Sequence, residues 1–599
     1  MGAARSGAGR RRIILYFSVL AVVTASWIAW TMAVGVLGYA PPQRGAANGE
    51  TPIGWLWRGA VHVHTVMSGD ASGTVGEVAA AAKQAGLDFV VITDHSRAGR
   101  AEEPRRPRSI DGVLVIFGEE VSLDDGHLVA IGTANHRYTI GPSARQAIDD
   151  VRRLDGYSFA AHPDALATPW RGRLGALDGV EVVNLASAFE HLFDGSFAQI
   201  FRAALTYPAN AAATLLLGLD RVPETIAKWD ARTALGAEAP RPLSAIAAAD
   251  AHGPQFLGMP TYEQALAAVT VSIWLADSPA DLADRDRDAA TKIVDALAAG
   301  RSAAVIGAAG TAPGFSFHAE SAGEANAVLA PGEMGETDDS SWRLVATLGA
   351  PGNYRVELLR DGVPVAEQMG DTLTFTVVEP GTYRVQVFRT DGPAGAGLEG
   401  SRPWIVSNPI YLWPAEAIRR TRRFLAPPVP GPLPAVSLLS MSGWSAEADA
   451  LSASAMAPLD GGLRWEFTVP RQEQADIHSA LTWRPQEVTD WSDYRGLSTS
   501  LATEREWRIA IHLWTRDGSG TITTWEQVVP ARPPESTSGV LWSAFRRLGA
   551  ADQGVVPGSL TPEDLSDMAG VALLVTPFLM RPGTDTTIDV REFGLIGND

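Results

Sequence analysis

The stretch Ala60-Val61-His62-Val63-His64 reads as an apolar strand that runs out into two imidazoles. Strict alternation places residues i and i+2 on one face, so a strand that twists or ends here can turn both rings toward one point. The pattern recurs downstream. Apolar residues 89–92 lead into Thr93-Asp94-His95, and 113–117 into Gly118-Glu119-Glu120-Val121, with Gly126-His127 close behind. Residues 159–161 lead into His162-Pro163, and 246–249 into Asp250-Ala251-His252. Between these runs lie Ala-rich stretches of helical texture. Thr74 and Glu77 spell a capping box for a helix over 78–85 that Gly86 ends. From 55 to about 306 this alternation predicts a βα barrel or a doubly wound sheet. Functional side chains of such barrels gather at the C-terminal ends of the strands, so the repeated order of strand and then polar group predicts one convergent site.

A lone histidine after an apolar run is more often a hydrogen-bonded core or loop residue than a ligand. Here six such positions stand beside Asp, Glu or another His, and eight of the 11 histidines fall between His62 and His252. His136 and His191 lack that context and read as surface or supporting residues. The chain has no cysteine, which excludes disulfides, thiolate nucleophiles and Cys-ligated zinc. A cluster of imidazole and carboxylate suits Zn²⁺, Mn²⁺ or Fe²⁺. Two such cations close together deliver hydroxide at neutral pH and neutralise charge on departing oxygens. No G-x-S-x-G elbow suggests a serine nucleophile instead. Asp250 is a candidate to take the proton of the attacking water. Arg58 and Arg97 are candidates for an anionic substrate group, with a solvated surface role as the plainer alternative. The net charge of −19 argues against nucleic acid as a partner.

The ordered set HxH, TDH, GEEV with a following GH, AHP and DAH resembles the PHP (polymerase and histidinol phosphatase) superfamily, and its GEEV…GH spacing resembles the CehA/McbA-like branch. The resemblance implies a distorted (β/α)7 barrel holding two or three divalent ions. Carried over by motif, His62, His64, Glu120 and Asp250 would hold the first ion. Glu120 would bridge to a second held by His127 and His162, and Asp70, His95 and His252 would hold the third. Glu120, Asp250 and His252 are the residues expected to act in catalysis. Val121 selects Glu120 over Glu119 as the ligand, Asp70 stands where many relatives carry His, and Asp94 is expected to orient a ligand His. The activity implied is hydrolysis of a phosphoester, or of a carboxylic or carbamic ester. The alternative is a metal-stabilised binding or scaffold protein without catalysis.

The rest of the chain is read around that barrel. Residues 1–12 are basic, and 13–37 are apolar and long enough for a membrane-spanning helix. That predicts a single-pass protein of the cell membrane, with its N-terminus cytoplasmic and everything beyond a tether at 38–54 outside. A cleaved signal peptide is the rival reading. The barrel is expected at 55–308. Period-two alternation over 309–413 predicts a β-sandwich, and its close, Pro403 to Tyr411, resembles an Ig-like domain. Residues 414–434, with Pro427, Pro428, Pro430, Pro432 and Pro434, read as a stiff linker. Residues 435–599 resemble a galactose-binding-like jelly roll of the carbohydrate-binding-module kind. Trp483, Trp507, Trp514, Trp525 and Trp542 there could stack a glycan or fill the core. The fold class is thus multidomain, α/β followed by all-β.

Overall fold

The computed structural model describes residues 16–27 and 49–597, apart from internal stretches of which 96–105, 255–259, 322–326, 391–401, 426–434, 470–477 and 549–559 are the longest outside 195–210, which is described only in part. Seven strands close into a barrel: β1 (Gly54–Val63), β2 (Phe89–Ile92), β3 (Val113–Leu123), β4 (Gly126–Ile131), β5 (Tyr157–Ala160), β6 (Gly179–Asn184) and β7 (Ser244–Ala251). β1 pairs in parallel with both β2 and β7, which closes the ring. β4 alone runs antiparallel to both its neighbours, because Asp124-Asp125 turns the chain straight back where a crossover helix would keep it parallel. Helices α1 (Val75–Gln84), α2 (Ala144–Arg153), α3 (Leu185–Asp194), α4 (Val222–Thr233), α5 (Tyr262–Ala268) and α6 (Asp286–Ala299) include those that cover the ring. The Thr74–Glu77 capping box opens α1, and Gly86 follows it at φ +70°.

The barrel does not stop at its seventh strand. Strand Thr270–Leu275 pairs with β1, Ser302–Val305 pairs with that strand, and Ile405–Ser407 pairs with Ser302–Val305. Barrel and following sandwich therefore share one continuous sheet. The sandwich's second sheet contains Ser316–Ser321, Trp342–Thr347 and Thr372–Thr376. Asn408 is fully buried at this junction, exchanging hydrogen bonds with both the N–H and the C=O of Ala245 at the foot of β7. The stretch read as a linker begins with helix Ala415–Leu425, whose Ile418 packs on Tyr411 and Trp413. Pro427, Pro428, Pro430, Pro432 and Pro434 lie outside the described residues. The last domain is a sandwich of two six-stranded sheets around a core that includes Trp465, Trp483, Trp491, Phe545 and Phe593.

Of the expected membrane-spanning helix over 13–37, residues 16–27 are described and are helical. Residues 13–15 and 28–37 lie outside the described residues. Among the described residues no helix is long and apolar enough to cross a membrane.

Candidate metal centre

All nine side chains expected as ligands meet at the C-terminal end of the barrel. Glu120, at 2% exposure, stands at their middle. Its Oε2 lies 3.4 Å from His62 Nε2, 3.3 Å from His64 Nε2 and 3.2 Å from His95 Nδ1. Its Oε1 lies 2.8 Å from His127 Nδ1 and 2.9 Å from His162 Nε2. Asp250 Oδ1 faces His62 Nε2 and His64 Nε2 at 3.5 and 3.4 Å. On the outer side Asp70 Oδ2 lies 2.8 Å from His95 Nε2 and 3.7 Å from His252 Nε2. Exposure grades from none at His62 and His64 to 41% at Asp70, so the cluster has a sealed base and an open mouth.

Backbone strain puts the rings there. His62, His162 and Asp250 have φ of +63°, +27° and +43°, a region costing about 1–2 kcal/mol for a residue with a side chain. At His62 the register of β1 against both neighbours shifts. This kink, rather than plain alternation, brings His62 and His64 to the same carboxylates. Tyr262 ties the mouth: its hydroxyl lies 2.9 Å from His64 O and 3.1 Å from His252 O, and it accepts the Gly73 N–H.

The donor set fits divalent cations. The Nε2 atoms of His62 and His64 are buried and have no hydrogen-bond partner. Each nevertheless looks at two carboxylate oxygens across 3.3–3.5 Å. Atoms bound about 2.0–2.2 Å from one ion lie roughly 3–3.6 Å from one another. Three groups have ligand atoms close enough to share an ion: His62, His64 and Glu120; His95, Glu120 and His127; and His64, Asp70, His95 and His252. The grouping differs in detail from the expected one, since His95 faces both Glu120 and Asp70, and His64 borders two groups.

Electrostatics agree with an assembly built for positive charge. Burial alone would strip His62 of a proton, yet Asp250, Glu181 and Glu120 raise its pKa well above the imidazole range. Burial likewise opposes charge on His64 and His162, and is outweighed by the facing carboxylates, Asp250 and Glu120 for His64 and the hydrogen-bonded Glu120 for His162. Both are pushed up to about 9. Glu120 and Asp250, despite burial, are held far below the carboxylate range, chiefly by His62. Asp70 is lowered too, against its burial, by hydrogen bonds from His252 and His95.

The residues supporting the ligands were only partly foreseen. Glu181, buried on β6, takes His62 Nδ1 at 2.7 Å, the His162 N–H at 2.7 Å and Asn184 Nδ2 at 2.8 Å. Asn184 also donates to Asp250 Oδ2. The signal for both was a carboxylate and an amide inside the otherwise apolar run Gly179-Val180-Glu181-Val182-Val183-Asn184. Asp94 accepts the N–H and hydroxyl of Thr65, and so fixes the loop after His64. Glu119 points away from Glu120 to His136, 2.6 Å off, and His191 meets the Asp164 carbonyl. Arg58 is a correction: it sits near the start of β1, beside Asp88 and Gly86, at the barrel end opposite the cluster. Arg97 lies outside the described residues.

Comparison with known proteins finds a family model that this stretch matches. Residues 60–165 match the PHP domain. The match runs from the strand of His62 past His162 and so takes in seven of the nine clustered side chains, with Asp250 and His252 beyond it. An uncharacterized protein of Methanocaldococcus jannaschii is 28% identical over 140 residues, which are 21% of this chain and 80% of the relative. A two-domain protein of Bacteroides vulgatus, described as containing a predicted PHP-like metal-dependent phosphoesterase, aligns at 13% identity over 62% of this chain and 100% of its own, with a TM-score of 0.28. A family 11 carbohydrate-binding module of a Clostridium thermocellum cellulase aligns at 17% identity over 28% of this chain and 96% of the module, with a TM-score of 0.22. TM-scores this low carry no weight for fold or function.

Proposed function

We propose that this protein is a multinuclear metal-dependent hydrolase that cleaves a phosphoester, or a carboxylic or carbamic ester. The observation that carries the reading is the pair of buried, unpartnered Nε2 atoms of His62 and His64 aimed at the oxygens of Glu120 and Asp250. Two or three divalent cations (Zn²⁺, Mn²⁺ or Fe²⁺) bound there would supply Lewis-acid polarisation and a nucleophile at neutral pH. His62, His64 and Asp250 form the sealed base, and Glu120 offers one oxygen to each side of the cluster. His127 and His162 hold the second oxygen. Asp70, His95 and His252 line the open side, where an ester can enter. At the border between base and mouth His252 Nδ1 lies 3.6 Å from Asp250 Oδ1, and to this pair falls the proton passed between attacking water and leaving oxygen.

Anchorage by residues 13–37, with the barrel outside the cytoplasm, belongs to the same proposal and rests on the apolar run and its basic flank. So does a small or surface-attached ester as substrate. A glycan on the last domain has weaker support: Trp483, Trp525 and Trp542 are buried in the core, leaving Trp507 and Trp514 half-exposed. A polar cleft of about 550 Å³ lined by Arg464, Glu466, Thr503, Glu504, Asp585 and Asp589 could hydrogen-bond a sugar.

The test is an assay of the full-length protein on aryl phosphate, phosphodiester, carboxylic ester and carbamate, with and without chelator. Activity on at least one class, abolished by chelator and by His64→Ala, is expected. Full activity in His64→Ala refutes the reading. Metal-replete protein that is inert on every class, yet binds a glycan, would favour the non-catalytic alternative.

A further inference from the structure

We propose that the last domain is a working part of the metal centre, with Arg546 as a positioning residue that fixes the turn carrying His127. The inference rests on the functional reading above.

Asp150, on α2, is fully buried although it carries a charge. Arg546 reaches it from the last domain, donating from Nε to Oδ2 at 3.1 Å, with Nη2 at 2.9 Å. Gln527 of the same domain donates to Oδ1. A buried ion pair is weak evidence of net stability, so its location bears the argument. The same Oδ2 accepts the N–H of Gly141, where a Cβ would stand 2.6 Å from Arg546 Nη2. Gly141 opens the short segment leading into α2. The carbonyl of Pro142 accepts the Asp124 N–H, and the Asp125 carboxylate accepts the Ala144 N–H. Asp124 and Asp125 are the turn between β3 and β4. β3 carries Glu120, and His127 is the second residue of β4, paired across the turn with Ser122.

The path runs from Arg546 through Asp150 to Gly141, along the chain to Pro142 and Ala144, by hydrogen bonds to the Asp124-Asp125 turn, and along the chain to His127. Around it the outer face of the domain's second sheet (Ala480, Ala510, Val528, Ala572) joins the barrel's hydrophobic cluster. Arg508 and Arg532 both pair with Asp155, just after α2. A module tethered only to hold a ligand needs no such insertion beside a ligand-bearing hairpin. His62 on β1, His64 just after it and Asp250 on β7 are reached by no bond of this path.

The experiment is a stepwise Co²⁺ titration of the full-length protein, with bound ions counted by mass spectrometry. His127→Ala identifies the binding step that depends on that residue. Arg546→Met is expected to raise the dissociation constant of this step about tenfold, on the scale of lost outer-sphere support. The step that depends on His62 should stay unchanged, and Arg546→Lys should fall between. If Arg546→Met does not fold, Arg546→Met with Asp150→Asn leaves no lone buried charge and gives the same reading. An unchanged His127 step, or equal weakening of every step, overturns the proposal. A wild-type protein that takes up no Co²⁺ counts instead against the hydrolase reading.

Discussion

The Nδ1 of His62 lies 2.7 Å from Oε1 of Glu181, and neither side chain reaches solvent. A carboxylate can only accept, so Nδ1 carries a proton, and Nε2, which faces Glu120 and Asp250, is the nitrogen left for a metal ion that displaces its own proton. Glu181→Gln keeps the volume and puts an NH₂ where the His162 N–H or Asn184 now donates. The expected result is roughly 10- to 100-fold weaker metal binding with the fold intact, measured by calorimetry with Mn²⁺. Unchanged affinity would remove Glu181 from the account.

Glu120 and Glu119 are neighbours with opposite assignments. Glu120→Gln takes charge from the point where five imidazoles converge and is expected to lower turnover at least about 100-fold, beyond the cost of losing an outer partner. Glu119→Gln disturbs a pairing on the other face, with His136, and should leave turnover close to wild type. Paired steady-state assays decide; equal losses would contradict the placement.

In protein freed of metal, His64 and His162 hold protons up to about 9, whereas an unfolded imidazole lets go near 6.5. Between those values the folded chain binds more protons than the unfolded chain. The stabilisation is fully present below about pH 6.5 and is lost as pH rises through about 9. The Tm of chelated protein should therefore fall over this range. Metal must displace these protons, so its binding should tighten with rising pH and release protons. A Tm that rises from pH 6.5 to 9 would contradict this.

Barrel and sandwich should not separate. Asn408→Ala strands the N–H and C=O of Ala245 inside the junction, at about 1–3 kcal/mol for each group left unpaired. A chain truncated at residue 308 loses Ile405–Ser407, the partner on the outer edge of strand Ser302–Val305. Urea melts should show the first destabilised by several kcal/mol and the second without a cooperative transition. A truncated barrel that melts cooperatively would refute the shared-sheet view.

The cluster was legible because each motif couples an apolar strand to a polar residue at its end, and barrel closure turns that local pattern into one place. Three features were not readable locally. The left-handed backbone at His62 arises from a register shift imposed by β2 and β7, both remote in sequence. The reversal of β4 depends on a two-residue turn whose docking partner is α2. Arg58 looked close to His62 along the chain, but four residues of extended strand separate the two ends of a barrel. The sheet joining barrel to sandwich pairs residues about a hundred positions apart, such as Ala303 with Ser407, and no local pattern encodes that. The buried Glu181 was visible as a charge in an apolar strand and was passed over because no histidine adjoins it.

The most direct measurement is an anomalous difference map from crystals of the full-length protein grown with Mn²⁺. The account expects a peak between His62, His64, Glu120 and Asp250, about 2.0–2.2 Å from each contributing atom, and at least one more on the His127 side of Glu120. A map without peaks, in which these imidazoles and carboxylates simply pair with one another, would contradict it.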